Sequence, residues 1–340
     1  MAEEEILSRE VLEEAAVLYG LHGGRQPTSG GFENIVYEFA APMTNVMIRF
    51  TPYSQASLTL IQAEVDFIGY LHRNGGPVPG IISSENGNVI EKIGSKSREY
   101  VVVAFEKARG IPAATIPVAQ WTPDLLQTLG SLMGILHRLA VSYIPPEGIR
   151  RPEWDEDEFY YPEKYIPDQS RIVGKSQDIF NCISALPRDP DSYGLIHGDV
   201  NLNNLYVDHG RMTLFDFDDS RYGWFAHDIA VALFFWLMDL DIREKETYAE
   251  LFLDNVFTGY EHEYTLDDYW WTQIPLFLDL HVLLCYTVIA YECDLENLNG
   301  WCQRFMKNRK YDIENGIPFV SLESWFQQRI KGRAPRRKHE

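Results

Sequence analysis

"LIHGDVNLNNLYVD", residues 195–208, sets an apolar run against one acid, one imidazole and three asparagines, then returns to an apolar run. "MTLFDFDD", residues 212–219, follows after His209-Gly210, so the text reads as a β-hairpin with polar groups gathered at its base. Asn204 lies five residues after Asp199, and Asp216 stands where the second strand ends. A turn of this kind can set oxygen ligands around Mg²⁺, which favours carboxylates, water and phosphate oxygens, and still leave one acid free to orient a hydroxyl. Taken singly, an Asp after Gly or an Asn-rich stretch is ordinary turn chemistry. The joint spacing matches the H-x-D-x-x-x-x-N loop and strand-end Asp of the phosphoryl-transfer template.

Outward from this hairpin the chain divides by period. "GGFENIVYEFAAPMTNVMIRF" (residues 30–50) gives two strands about a Pro-containing connection, and "LTLIQAEVDFIGYLHRNG" switches to helical spacing before stopping at Asn74-Gly75. Two further strands are expected across "GNVIEKIGSKSREYVVVAF", with a turn near Gly94-Ser95. After Pro123 the pattern is mostly helical, apart from the acidic, aromatic "RPEWDEDEFYYPEKYIP" (residues 151–167), which reads as an irregular excursion.

The 340 residues are 45% hydrophobic, enough for a substantial core in one large domain or two lobes. A formal charge of −20 argues against a nucleic-acid partner, because phosphate contacts need clustered Lys and Arg. The exception is the basic tail "RIKGRAPRRK" (residues 329–338), read as a solvated terminus. The acidic start "MAEEEILSREVLEEAAVLYGL" suits an amphipathic helix and lacks a signal-peptide pattern. The run from Ile229 to Met238, taken as the longest apolar stretch, is too short to span a bilayer. Four cysteines without a CxxC pair suit reduced, buried thiols. No membrane partner and a cytoplasmic setting are therefore expected, with the oligomeric state open.

With these motifs in order, the sequence resembles the aminoglycoside phosphotransferase superfamily, whose relatives include choline, homoserine, fructosamine and stress-response kinases. The likeness rests on "LIHGDVNLNNLYVD" and "LFDFDDSRYGWFAHDIA", supported by "GGFENIVYEF", "VMIRF", the Glu64 helix and "LGSLMGILHRL". It implies an α+β, bilobal, protein-kinase-like fold: a β-rich N-terminal nucleotide lobe over residues 1–108, a larger helical catalytic lobe over 109–328, and the tail 329–340. ATP and Mg²⁺ would be the cofactors and a small-molecule hydroxyl the acceptor. By this resemblance Asp199 is the catalytic acid/base and His197 braces its loop. Asn204 and Asp216 hold metal, and Asp228 is structural. Ser29, Gly30 and Gly31 would cover the phosphates, Arg49 would contact them with Glu64 as its partner, and Phe105 to Gly110 would form the hinge that reads adenine. The loop departs from its relatives at Asn201, where histidine is common, and at Asn203, where glycine is.

Other residues carry two readings. Asp218 and Asp219 could meet a second metal or be solvated or capping acids. His137 reads as a packed or capping histidine. Trp270 and Trp271, with Tyr269, Asp267 and Asp268, could form an acidic aromatic wall for a cationic substrate, or core aromatics beside a polar loop. The acidic balance leans towards an amine-bearing acceptor. A protein Ser/Thr acceptor, and a pseudokinase scaffold without turnover, are the competing readings.

Overall fold

Ser8 opens the first helix, α1 (Arg9–Leu18), by accepting a hydrogen bond from Val11 N at 3.4 Å. The computed structural model describes residues 7–28, 34–42, 44–95 and 98–329. The expected phosphate turn at Ser29, Gly30 and Gly31 lies outside the described residues, as does the basic tail beyond Arg329.

The N-terminal sheet contains β1 (Arg25–Pro27), β2 (Ile35–Phe39), β3 (Val46–Pro52), β4 (Ile81–Ile82), β5 (Glu91–Ser95) and β6 (Arg98–Glu106). Its order is β1-β2-β3-β6-β4 with β5 also on β6, and every pairing is antiparallel. Strand alternation separates its two faces. Tyr37, Phe39, Ile48, Phe50 and Val102 pack with Leu12 and Ala15 of α1, while Val101 and Val103 meet Ile61 and Val65 of α2 (Gln55–Arg73). Arg49, between Ile48 and Phe50, therefore points to the α2 face. A capping box between Ser54 and Ser57 starts α2. The two strands expected about Gly94-Ser95 pair as β5 and β6, with Gly94 and Ser95 ending β5 opposite Glu99 and Arg98.

The chain leaves β6 at Glu106, and Lys107 N donates to Asn45 O at 3.0 Å. It then enters β7 (Ile111–Pro112), which pairs with the catalytic hairpin strand β9 (Leu205–Asp208). Gly110 makes this junction possible, with φ +94° and an ideal Cβ that would stand 2.0 Å from Val207 O.

The larger lobe contains α3 (Pro123–Val141), α4 (Ser170–Ser184), β8 (Tyr193–Ile196), β9, β10 (Arg211–Leu214), β11 (Arg221–Trp224), α5 (Phe225–Leu237), α6 (Ile242–Glu263), α7 (Asp268–Thr272), α8 (Ile274–Glu292), α9 (Gly300–Met306), α10 (Arg309–Glu314) and α11 (Glu323–Arg329). Helices α3 and α6 cross closely at Gly130, where a Cβ would meet Val256 O at 2.1 Å. The excursion at 151–167 forms three 3-10 turns rather than a helix, consistent with its prolines.

Three sequence readings change here. Trp270 and Trp271 are buried, so they belong to the core and form no wall; Tyr269 alone of that trio is exposed. Cys182 is exposed, and Cys285, Cys293 and Cys302 are only partly buried; all four are free. Helix α8, at 19 residues, is long and apolar enough to cross a membrane, although Asp279 and His281 interrupt its apolar sequence. It packs instead against α5 in the core, with Phe277, Leu280 and Leu283 buried.

Candidate active site

β8 delivers the polar loop, and a left-handed Gly198 (φ +85°) turns it beneath Asp219, whose carbonyl would meet a Cβ there at 2.4 Å. Each polar residue of the opening stretch has a distinct position. His197 Nε2 donates to Phe215 O at 3.1 Å, and its Nδ1 accepts from Asp199 N at 3.2 Å. Burial pushes the His197 pKa down, and these partners suit the neutral ring with its proton on Nε2. Asn201 Oδ1 accepts from Asn203 N and Asn204 N, capping the 3-10 turn Leu202–Asn204. Its Nδ2 donates to Asp199 Oδ2 at 2.5 Å. Asn203 is exposed.

Asn204 Nδ2 donates to Asp199 Oδ2 at 2.9 Å and to Asp199 O at 3.1 Å, leaving Oδ1 free of that pair. The hairpin β9–β10 turns through His209 and Gly210, both at positive φ, and closes at its base where Phe215 N donates to Asn204 O at 3.0 Å. Asp216 is the next residue, in the left-handed region at φ 67°. Asn204 is thus bonded across the hairpin base to the residue that precedes Asp216. Burial and the neighbouring Asp219 raise the Asp199 pKa to about 7, against the hydrogen bonds from Asn201 and Asn204. Desolvation raises Asp216 and Asp218 as well, with Asp218 adding to the rise at Asp216 and Asp219 to the rise at Asp218.

From the other lobe, Arg49 and Glu64 form a two-pronged pair, Nη1 to Oε1 at 2.8 Å and Nη2 to Oε2 at 2.6 Å, with both residues at most 5% exposed. Arg49 Nη1 lies 4.0 Å from Asp216 Oδ1, so the sheet's cation reaches the hairpin's acid. Phe105 lies on β6 with its ring centroid 5.7 Å from the Arg49 guanidinium carbon. Among the described residues no group of three or more His, Cys, Asp or Glu side chains could hold a metal unaided. The hard oxygens of Asn204 and Asp216 nevertheless fit Mg²⁺, which completes its shell with water and phosphate oxygens.

Several residues around this centre gave no sequence signal. Asn34 Nδ2 donates to Asp218 Oδ2 at 3.0 Å and its Oδ1 accepts from Thr51, tying the small lobe to the acidic turn. Asp218 is therefore partly occupied, and Asp219 is paired with Arg221 at 3.2 Å; neither caps a helix. Arg221 also reaches Asp157 of the excursion at 2.7 Å. Arg151, buried, donates Nε to Ser220 O at 2.7 Å, Nη1 to Leu60 O at 3.1 Å and Nη2 to Asp218 O. Asp228 accepts from His197 N at 2.9 Å and Gly198 N at 2.8 Å, so its structural role is to hold the loop's backbone.

A two-lobed kinase-like fold with an acid, an amide and a strand-end carboxylate in this order defines a phosphotransferase. Residues 24–264 match the family model described as the phosphotransferase enzyme family, and the chain belongs to that family. Amicoumacin kinase of Bacillus subtilis (strain 168) is 30% identical over 319 residues, spanning 92% of this chain and 94% of that protein. A solved amicoumacin kinase in complex with AMP-PNP, Ca²⁺ and Ami matches with a TM-score of 0.85 at 29% identity, covering 96% of this chain and 97% of that one. A microcompartment-associated aminopropanol kinase shares the fold, with a TM-score of 0.71 at 20% identity over 90% and 95% of the two chains.

Proposed function

We propose that this phosphotransferase moves the γ-phosphate of ATP to a hydroxyl of a small, amine-bearing molecule. The observation that carries the reading is the Asp199–Asn204 contact at 2.9 Å beside Asp216, itself faced by the Glu64-held Arg49 at 4.0 Å. Asp199 accepts the acceptor's proton and aligns its oxygen with the γ-phosphorus; a carboxyl with a pKa raised to about 7 is a stronger base than an ordinary aspartate. Asn204 and Asp216 would hold Mg²⁺, which when bound would neutralise phosphate charge. Arg49 contributes a fixed positive charge to the phosphates, and Glu64 keeps its fork oriented. His197 and Asp228 fix the loop without touching substrate. The hinge from Phe105 to Gly110 offers backbone groups to adenine.

The amicoumacin kinase relatives, the acidic charge of −20 and the carboxylates of the excursion support an amine-bearing acceptor. The test is Mg²⁺-dependent transfer from labelled ATP to a panel containing amicoumacin, aminoglycosides, amino alcohols, choline, homoserine, sugars and a generic protein. Transfer to an amine-bearing alcohol, lost by about 10²-fold or more in Asp199→Asn with ATP still bound, is the expected result. Label on the protein acceptor would move the reading to a protein kinase, and ATP binding without transfer to any member would leave a scaffold.

A further inference from the structure

Beyond the phosphate-handling residues, the excursion and the C-terminal part of α8 present a cluster of rings that the catalytic assignment leaves unused. Phe159 stacks on Tyr165 with centroids 4.6 Å apart and an interplanar angle of 25°. Tyr291, at the end of α8, meets Tyr165 edge-on at 4.9 Å and lies 6.5 Å from Phe159. Tyr291 is 54% exposed, and Phe159 and Tyr165 are half-buried, so ring surface remains open to solvent. The Tyr165 hydroxyl donates to Glu158 Oε2 at 2.9 Å, which makes that ring more electron-rich and sets an exposed carboxylate beside it. Lys164, the nearest cation in sequence, lies over the Tyr161 ring.

This cluster is joined to the catalytic loop by a short chain of contacts. Asp157, two residues before Phe159, binds Arg221 at 2.7 Å; Arg221 Nε binds Asp219 O at 3.0 Å; and Arg221 pairs across the strands with Ile196, immediately before His197. The Arg221 guanidinium also sits over the Tyr160 ring at 5.8 Å.

We propose that Phe159, Tyr165 and Tyr291, with Glu158, form the subsite for an ammonium group of the acceptor, whose hydroxyl meanwhile lies at Asp199. The inference rests on the reading of the preceding subsection and names where its amine is held. Electron-rich ring faces attract a cation through their quadrupole, and the carboxylate adds a like preference. A neutral group of the same shape gains only the apolar contact.

Saturation-transfer NMR titration of the full chain with tetramethylammonium and with tert-butanol, a neutral probe of similar size, reads this preference directly. Tetramethylammonium is expected to bind about tenfold more tightly than tert-butanol. Phe159→Ala and Tyr291→Ala are expected to bring the ratio within about twofold, while Tyr291→Phe, which keeps the ring, retains it. Thermal melting of each variant checks that it is folded. Equal binding of the two probes to the wild type, or an unchanged ratio in both alanine variants, overturns the subsite. Because this readout involves no transfer, it is separable from the Asp199→Asn test: loss of the ratio with Asp199-dependent transfer intact removes the subsite alone.

Discussion

His137 Nε2 holds the Asp228 carboxylate at 3.2 Å, and that carboxylate in turn receives the backbone N–H groups of the loop that ends in Asp199. His137 is itself fixed, with Nδ1 2.8 Å from the Tyr260 hydroxyl and its ring stacked on Phe225 at 4.4 Å. The position of the candidate base is thus set from three helices, α3, α5 and α6.

Asp228→Ala should lower stability by about 2–4 kcal/mol, since it strands two buried N–H donors and a histidine that had a charged acceptor. Chemical denaturation measures the loss. Burial alone would raise the Asp228 pKa, but the hydrogen bonds from His137 and Gly198 hold it below the ordinary value. The stabilisation is therefore present above the unfolded-state pKa near ~4 and is lost as pH falls through the lower folded-state value. Wild-type stability should decline more steeply than that of Asp228→Asn on acidification through this window; parallel curves would contradict the assignment.

Arg49→Ala leaves Glu64 charged, buried and unpaired, and a destabilisation of about 3–5 kcal/mol is expected. Removing both partners should cost less than the sum of the two single changes, a coupling that a double-mutant cycle with Glu64→Ala measures. Additive losses would mean that the two-pronged contact contributes little.

Asp279 sits on an otherwise apolar face of α8, and burial raises its pKa to about 6, with Lys175 too weakly placed to offset it. A carboxyl raised in the folded state is destabilising once ionised, so stability should fall as pH rises from about 4 to about 6 on this account. Asp279→Asn should gain about 1–3 kcal/mol above that window and little below it. Melting temperatures at about pH 3 and about pH 7.5, on either side of the titrating range, compare the two.

Gly110→Ala forces a side chain onto φ +94° and against Val207 O. It should cost more than ~1 kcal/mol and lower the yield of folded protein, whereas Gly174→Ala, in open space on α4, should be neutral or stabilising. Equal effects of the two changes in urea melts would refute the steric account.

The hairpin from Leu205 to Leu214 was legible because its register, its two-residue turn and its polar base are all local. Arg49 and Glu64 could be paired only through the family likeness, since 15 residues and a change of element separate them. Arg151, Arg221 and Asn34 stayed invisible: Arg151 donates to backbone carbonyls 67 to 91 residues away, Arg221 reaches Asp157 across 64 residues and Asn34 reaches Asp218 across 184, and one guanidinium reads like any other in sequence. Trp270 and Trp271 were ambiguous for a related reason. Their neighbours Asp267 and Asp268 resemble a binding wall, yet Asp267 serves as the cap of α7, and the helix turns both indoles inward.

Arg151 has a mechanical consequence. Its three carbonyl contacts tie Leu60 of α2, Asp218 and Ser220 to a single side chain rooted in the excursion, while Asn34 clasps Asp218 from the sheet. Any rocking of the small lobe that carries α2 away must break the Leu60 contact or drag residue 151 with it. The excursion and the helix that orients Arg49 therefore share one fulcrum.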